Sequence, residues 1–247
     1  QGTEAGTTTG TYSDDNINIT LKEYRQNDTT IYVADVELSD PGYLKTAFAQ
    51  NSYGKNVTAK TSEIASGAGA ILAINGDYYG AREKGYVIRN GKLYRDTADS
   101  GREDLVIYSD GSFGIINESE VTAKQLISKG AVQTFSFGPS LVTDGKVNVT
   151  EGEEVGQAMA SNPRTAIAAV EPLHYLMVVS DGRTADNAGL SLYQLALFLQ
   201  TLGVSDAYNL DGGGSSSMVF MGRIINVPTS DGKRIAERSV SDIVYIG

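Results

Sequence analysis

The sequence predicts an α+β fold, in which a large, mostly antiparallel or mixed β-sheet packs against two or three helices. Two patterns favour this class. Alternating or apolar runs are joined by Asn-Gly and Asp-Gly pairs, which are typical of tight hairpin turns. Only a few segments combine a helix-capping signal with apolar residues at helical spacing. The chain has 247 residues and no clear linker, so it can bury a substantial core.

Hairpin signals recur along the chain. The run Ile17–Leu21 alternates between apolar and polar residues, a turn follows at Gln26-Asn27-Asp28, and Thr30–Leu38 alternates again. Later strands end in Asn-Gly, Asp-Gly or Pro-containing turns. In chain order, the further predicted strands and hairpins cover 70–74, 87–94 around Asn90-Gly91, 105–108 with 113–116, 141–147 around Asp144-Gly145, 165–170 with 174–179, and 207–210.

Three segments predict helices. Thr122 and Gln125 have the spacing of a capping box, and Gly130 ends that helix. Ser191 and Gln194 repeat the signal before a helix over about 192–202, whose apolar face is followed by a C-terminal glycine. A shorter helix over 62–68 leads into the strand 70–74.

We expect residues 1–60 to form peripheral N-terminal strands of unassigned function and residues 61–247 to form the body that carries the site. The first residues, Gln1–Gly10, are rich in glycine and threonine, like the start of a mature chain. An acidic chain without cysteine and rich in Thr, Tyr, Asn and Gly is typical of exported bacterial proteins. We therefore predict a secreted or cell-envelope location. No run of 18 apolar residues exists, so no membrane span is expected.

Composition excludes several kinds of chemistry. The net charge of −10 argues against a nucleic-acid partner, because phosphate backbones bind basic surfaces. The absence of cysteine excludes thiol catalysis, disulfides and cysteine-type zinc sites. A single histidine, His174, excludes mechanisms that need a histidine pair. The chemistry must come from carboxylates, amides, hydroxyls and arginines, and no cofactor is predicted.

The most informative segment is Asn209–Ser217, which contains the glycines Gly212–Gly214. Glycine carries an entropic cost, so three in a row are typical of a place where another group approaches the backbone closely or φ is positive. One amide, one carboxylate and three hydroxyls surround the glycines. We interpret the segment as the floor of a site that binds an oxyanion at backbone N–H groups. A flexible linker is the alternative, but apolar segments flank the run closely on both sides.

Two further predicted strands also end in polar clusters. Asn75-Gly76-Asp77 follows the strand 70–74, and Ser180-Asp181-Gly182-Arg183 follows the strand 174–179. Each cluster can equally be an ordinary turn, in which the aspartate caps its own backbone. If the strands are neighbours, however, Asp77, Asp181 and Asp211 converge at one edge of a sheet. Carboxylates that close shift one another's pKa and supply an acid and a base. Such a cluster can also bind calcium or magnesium.

The order of these motifs is similar to that of the phosphodiester glycosidase family. The resemblance covers residues from about 60 to 247, and Asn209–Ser215 is its most specific part. It implies hydrolysis of a sugar-1-phosphodiester between the anomeric carbon and the phosphate oxygen. The segments that carry it are Asn75-Gly76-Asp77-Tyr78, Pro163-Arg164-Thr165-Ala166, Asp181-Gly182-Arg183, the helix with Leu195 and Leu199, Asn209–Ser215 and Glu237-Arg238-Ser239-Val240.

The resemblance implies a role for each candidate residue. Arg164 and Arg238 hold the phosphate with the amides of the glycine run, because arginine forks onto phosphate oxygens. Asp211 acts as a nucleophile or as a base on water. Asn75 and Asn209 hold sugar hydroxyls or an acetamido group, and Asp181 orients an arginine or shares a proton. The predicted site comprises Asp77, Asp181 and Asp211 as catalytic residues and Asn75, Arg164, Arg183, Asn209, Gly212, Gly213, Ser215 and Arg238 as substrate-binding residues.

Two other functions remain open from the sequence. A glycan-binding module of the cell envelope would bind saccharide without turnover. A calcium-dependent protein would use the acidic strand ends as ligands and would be stabilised by calcium. Arginines at the same strand ends argue against a cation site, since they would repel the ion.

Overall fold

The computed structural model describes residues 5–152 and 161–247, and within these ranges it has eighteen β-strands and three α-helices. The helices are α1 (Thr61–Ala68), α2 (Ala123–Ser128) and α3 (Leu192–Thr201). The strands are β1 (Thr7–Ser13), β2 (Ile17–Gln26), β3 (Thr29–Leu38), β4 (Leu44–Phe48), β5 (Leu72–Asn75), β6 (Val87–Arg89), β7 (Lys92–Arg95), β8 (Glu103–Tyr108), β9 (Phe113–Asn117), β10 (Ala131–Phe135), β11 (Ser140–Thr143), β12 (Lys146–Val147), β13 (Arg164–Glu171), β14 (His174–Ser180), β15 (Asp206–Asn209), β16 (Met218–Phe220), β17 (Arg223–Ile224) and β18 (Asp242–Ile246).

The strands form one large sheet and three smaller ones. The large sheet has eight strands in the order β1-β2-β3-β14-β13-β15-β11-β12. A five-stranded sheet has the order β17-β16-β5-β18-β4, and two further sheets join β10-β8-β9 and β6-β7. The described strands pair antiparallel throughout. The predicted α+β class with a mostly antiparallel sheet is confirmed.

Alternation along the strands of the large sheet builds two separate cores. On β14, Tyr175, Met177 and Val179 face a core shared with the five-stranded and three-stranded sheets. Leu176 and Val178 face the other side, where α3 covers the sheet. The helix α1 packs on the outer face of the five-stranded sheet through Ile64 and Ala65 and forms a third cluster there. The main layers are thus α3, the large sheet, the five-stranded sheet and α1, as the period-two pattern requires.

The predicted turns and caps explain the local structure. Asn90 and Gly91 both have positive φ, which matches the strand twist at the β6–β7 hairpin. Asp144 and Gly145 do the same between β11 and β12. Ser191 accepts a hydrogen bond from the Gln194 amide at the start of α3, and Thr122 caps α2 through Gln125 in the same way.

The N-terminal strands belong to the large sheet. β1 and β2 lie at its edge, while β3 pairs with β14 from His174↔Glu37 to Ser180↔Ile31. The first four residues of the segment Gln1–Gly10 lie outside the described residues, and Thr7 begins an edge strand. A boundary between functional units at about residue 60 stays a prediction. It does not separate one sheet from another, because β1, β2 and β3 belong to the same sheet as β13 and β14.

We expect that removal of residues 1–60 abolishes cooperative folding. The truncation would expose the β14 edge and remove Ile31 and Val33 from one core and Ala34 and Val36 from the other. Far-ultraviolet circular dichroism and thermal unfolding of the fragment would check this. A soluble fragment that melts cooperatively would show that the segment is dispensable for the fold.

Among the described helices, none has both the length and the apolar composition needed to cross a membrane.

Candidate functional site

Four strand ends of the large sheet meet at one rim. Arg183 lies just after β14, Arg164 begins β13, Asn209 ends β15, and Phe137 lies just before β11. The pairs Arg164↔Ser180, Ala166↔Asn209 and Ser140↔Tyr208 place these ends on the same side of the sheet. A cavity of about 140 Å³ opens there, lined by Phe137, Asn162, Arg164, Arg183, Asn209, Asp211, Gly212, Gly213 and Arg238.

The chemistry of this cavity distinguishes it from larger ones. A cavity of about 490 Å³ between β4 and α1 has Glu63 as the one ionisable residue in its lining. The rim cavity instead brings three arginines and one aspartate together. Convergent charged groups at strand ends are a better sign of a functional site than volume alone.

The glycine run packs tightly against the segments around Pro163 and Arg183. A Cβ atom on Gly212 would lie 2.8 Å from the carbonyl oxygen of Pro163. Gly213 has φ +60°, and a Cβ there would lie 3.1 Å from Arg183 Nη2. These contacts explain the glycines and rule out a free linker. The Gly213 N–H donates to the Pro163 carbonyl at 2.9 Å, so it is not available to a ligand.

Hydrogen bonds to the backbone of Asp211 hold this residue in place. The Asp211 N–H donates to the Gly76 carbonyl at 3.2 Å, and Asn75 Nδ2 donates to the Asp211 carbonyl at 2.6 Å. Asn75 Oδ1 in turn accepts from Thr165 Oγ1 at 2.8 Å. Asn75 is completely buried and does not line the cavity. Its contacts are those of a residue that positions Asp211. The contact with the sugar that the sequence predicts for Asn75 stays a prediction.

The Asp211 carboxylate lies in an unusual environment. Its residue is 8% exposed, and Oδ2 has no hydrogen-bond partner among the described residues. The nearest cation is Arg238, whose Nη2 lies 3.8 Å from Oδ2. Burial raises the pKa of Asp211, while the Ser215 hydroxyl and Arg238 partly oppose this shift. Folding is opposed by a buried carboxylate that has an oxygen without a hydrogen bond, and such a carboxylate is typical of a reactive group.

Two arginines are fixed beside Asp211. Arg238 donates from Nε and Nη2 to Ser215 Oγ at 3.0 and 2.6 Å. Ser215 therefore holds Arg238 and does not itself line the cavity. Arg183 donates from Nη2 to Asn162 Oδ1 at 2.9 Å and from Nη1 to the Ser230 carbonyl at 3.0 Å. Both guanidinium groups are oriented before any ligand arrives.

Arg164 and Asn209 complete the polar lining. Arg164 is almost fully buried and donates from Nε to the Leu190 carbonyl at 2.8 Å. Asn209 Nδ2 donates to the Gly138 carbonyl at 3.0 Å, which fixes the orientation of the amide. Asn209 Oδ1 is buried and has no partner among the described residues. The amide oxygen thus has unused acceptor capacity at the cavity.

Two of the three predicted catalytic carboxylates do not line the cavity. Asp77 Oδ1 pairs with Arg89 Nη2 at 3.0 Å, and Oδ2 accepts from the Ser136 amide. Asp181 accepts from the Tyr32 hydroxyl and from the Val227 amide, both at 2.8 Å. Burial also raises the pKa of Asp181, against the effect of these hydrogen bonds. The Asp77 side chain lies close to Asp211, whose pKa its charge helps to raise, but it is paired with Arg89 on the side of the five-stranded sheet. The Asp181 side chain supports the loop at Val227. Catalytic roles for Asp77 and Asp181 stay predictions.

Three residues near the site were not predicted to take part in it. Asn162 orients Arg183, Phe137 forms one wall, and Arg82 lies over the Phe137 ring with its Cζ 4.9 Å from the ring centre. An asparagine, a phenylalanine and an arginine in loops have no distinctive spacing. Only the antiparallel pairing of β11 with β15 brings Phe137 to this rim.

The cavity is a poor site for a hard cation. It offers one carboxylate beside three arginines. Among the described residues, the group of three potential metal ligands is Asp35, Glu37 and His174, on β3 and β14. His174 Nε2 lies 2.8 Å from Asp35 Oδ1, and this surface pair is away from the rim cavity.

The phosphodiester glycosidase family model matches residues 68–247. The chain belongs to this family. A SPbeta prophage-derived uncharacterized protein of Bacillus subtilis is 34% identical over 184 residues, which are 72% of this chain and 28% of that protein. The mouse N-acetylglucosamine-1-phosphodiester α-N-acetylglucosaminidase is 27% identical over 206 residues, which are 76% of this chain and 40% of that protein.

Solved structures agree on the fold. The zebrafish N-acetylglucosamine-1-phosphodiester α-N-acetylglucosaminidase catalytic domain, auto-inhibited by its pro-peptide, aligns with a TM-score of 0.72 at 21% identity and covers 99% of this chain and 88% of that one. A hypothetical protein from Synechocystis aligns with a TM-score of 0.73 at 16% identity and covers 98% of this chain and 64% of that one. The chain spans less than half the length of the two curated relatives named above.

Proposed function

We propose that the protein hydrolyses a sugar-1-phosphodiester at the bond between the anomeric carbon and the phosphate oxygen. The observation that carries the proposal is the buried carboxylate of Asp211, which has an oxygen without a hydrogen bond and lies beside the fixed guanidinium groups of Arg183 and Arg238. Family membership and the names of the mammalian relatives support N-acetylglucosamine as the sugar.

The arginines fit the charge that the reaction develops. When the glycosidic bond breaks, its electron pair goes to the phosphate oxygen, so negative charge grows on the leaving phosphate monoester. Arg164, Arg183 and Arg238 line the side where that charge would form. A phosphate monoester is a weak base and needs little protonation to leave. A second carboxylic acid in the cavity lining is therefore unnecessary, which agrees with a lining that holds Asp211 as its carboxylate.

Asp211 acts at the anomeric carbon in this proposal. It either attacks that carbon directly or removes a proton from an attacking water, and the sugar passes through an oxocarbenium-like state. Both roles require the ionised carboxylate. Because burial raises the pKa of Asp211, the acid limb of activity should lie above the range of an ordinary aspartate. Asn209 Oδ1 accepts from a sugar hydroxyl or an acetamido N–H.

We place the substrate in a bacterial envelope or extracellular glycan. A putative exported protein from Burkholderia pseudomallei shares the fold with a TM-score of 0.60 at 15% identity, covering 88% of this chain and 74% of that one. The acidic, cysteine-free composition supports the same location. Residues 61–247 hold the full lining of the cavity in this proposal, and residues 1–60 support its sheet.

Hydrolysis in oxygen-18 water tests the proposed reaction. We expect the protein to release N-acetylglucosamine from an N-acetylglucosamine-1-phosphodiester, with the label in the C1 hydroxyl of the sugar, because water attacks carbon. Mass spectrometry of both products would show the position of the label. Label in the phosphate would mean cleavage at phosphorus and would contradict the proposal. Saccharide binding without turnover would favour a glycan-binding module instead.

A further inference from the structure

Phe137 occupies the end of the cavity opposite Arg164, which begins β13, and Arg183, which follows β14. The strand order at the rim is β14-β13-β15-β11, so Asp211 follows the strand between them. Adjacent strands lie about 4.8 Å apart, and three such steps separate the β14 end from the β11 end by roughly 14 Å. That span suits a ligand with an anionic group at one end and a different group at the other.

Phe137 is held through its backbone and through its ring. Its backbone N–H donates to the Tyr208 hydroxyl at 2.8 Å, and its carbonyl accepts from Arg102 Nη1 at 3.1 Å. The Arg82 guanidinium lies over one face of the ring and also donates to the Ser136 carbonyl. Phe137 is half-buried, packs against the main core and lines the cavity. It is therefore a rigid apolar surface in a pocket that is otherwise polar and charged.

An unpartnered acceptor lies next to this surface. The Gly138 N–H, one residue after Phe137, donates to the Asn209 carbonyl at 3.2 Å, and Asn209 Nδ2 donates back to the Gly138 carbonyl. Asn209 Oδ1 remains without a partner among the described residues. A sugar ring has an apolar C–H face and polar edges, so an aromatic wall beside a free acceptor matches its chemistry.

We propose that Phe137 is the specificity-determining wall against which the sugar ring of the substrate packs. The substrate then lies across the strand ends, with its sugar at Phe137 and Asn209 and its phosphate at Arg164, Arg183 and Arg238. This inference rests on the proposed function. It adds the orientation of the substrate in the cavity. It also adds a residue that contacts the sugar and does not contact the phosphate.

The test separates recognition of the sugar from recognition of the phosphate. Phe137→Leu keeps an apolar side chain but removes the aromatic face, and Tyr53→Leu removes a surface aromatic that lies in a separate cluster with Phe48 and Tyr79. We expect Phe137→Leu to raise the inhibition constant of free N-acetylglucosamine about tenfold. The inhibition constant of inorganic phosphate should not change, and Tyr53→Leu should alter neither. Melting temperatures would verify the fold of each variant.

Two outcomes would overturn the inference. Unchanged inhibition by N-acetylglucosamine in both Phe137→Leu and Phe137→Ala would show that the ring does not contact the sugar. An equal loss for sugar and phosphate would show a merely structural role. If the wild-type protein does not turn over the phosphodiester, the proposed function fails separately. Calorimetric titration of N-acetylglucosamine into the wild-type and Phe137→Leu proteins then decides the inference, and equal or absent sugar binding would contradict it.

Discussion

Replacement of Asp211 by asparagine should lower kcat/KM for a sugar-1-phosphodiester by about 10²- to 10⁴-fold, the range of a positioned acid–base group. Asparagine has the same shape and can keep the backbone bonds to Gly76 and Asn75, but it can neither attack the anomeric carbon nor take a proton. Steady-state kinetics with an aryl or nucleotide sugar phosphodiester would measure the loss. A loss below about tenfold would remove Asp211 from the catalytic role.

The same substitution should not destabilise the protein. Asp211 is 8% exposed, one carboxylate oxygen accepts no hydrogen bond from the described residues, and burial raises the pKa of the group, so folding disfavours its ionised form. Asp211→Asn should therefore melt at the same or a higher temperature than the wild type, as expected where activity is maintained at the expense of stability. Asp206→Asn is the matched control. Burial also raises the pKa of Asp206, at the opposite end of β15, but this residue does not line the cavity. Its substitution should leave the kinetics unchanged.

The pH dependence gives an independent check on Asp211. A raised pKa means that the carboxyl group stays protonated to a higher pH than an ordinary aspartate. Activity should therefore rise with pH through that raised pKa, and the variant should lack this acid limb. A wild-type acid limb at the value of an exposed aspartate would show that another group controls the rate.

The sequence predicted those parts of the site that depend on local structure. Asp181 to Arg183 and Arg164 meet because β13 and β14 form a hairpin, and hairpins follow from turn residues. The glycine run was found because three glycines between apolar segments need a physical reason. Asn209 and Asp211 belong to the same segment, so they were predicted together with the glycines.

The remainder of the site depends on pairings that no local pattern encodes. Asp77 follows a buried strand just as Asp211 does, but β5 lies in the five-stranded sheet, and the residues give no sign of this choice. Phe137 reaches the rim only because β11 pairs with β15. β1 was missed because most of its side chains are exposed and show no alternation. β18 was also missed, because it is a short strand whose partners β5 and β4 are far from it in sequence.

Arg89 was not singled out from the sequence, but in the structure it is a buried cation with two carboxylate partners. It is 2% exposed and lies between two buried carboxylates. Its Nη2 is 3.0 Å from both Asp77 Oδ1 and Asp242 Oδ2, and Nη1 donates to the Thr134 carbonyl. Burial raises the pKa of Asp242 to about 7 against the opposing charge of Arg89. The cluster of Arg89, Asp77 and Asp242 lies close to Asp211. Asp77 is adjacent in the chain to Gly76, whose carbonyl accepts a hydrogen bond from the Asp211 amide.

Arg89→Met should therefore lower the free energy of unfolding by about 3–5 kcal/mol at neutral pH, since it leaves two buried carboxylates without their cation. Chemical denaturation would measure the change. Lys55→Met is the matched control, because it breaks an exposed pair with Glu83 and should leave the free energy of unfolding almost unchanged.

The pH dependence of this loss identifies its cause. Without Arg89, the folded-state pKa of Asp242 should rise further, so protonation favours the folded variant. The stability deficit of Arg89→Met should shrink as the pH falls from 8 towards 5 and grow as it rises. A deficit that does not change with pH would mean that lost packing against the Phe135 ring, 4.8 Å from the guanidinium, explains the loss. Because Gly76 links this group to Asp211, activity of the variant should fall at temperatures where it is still folded.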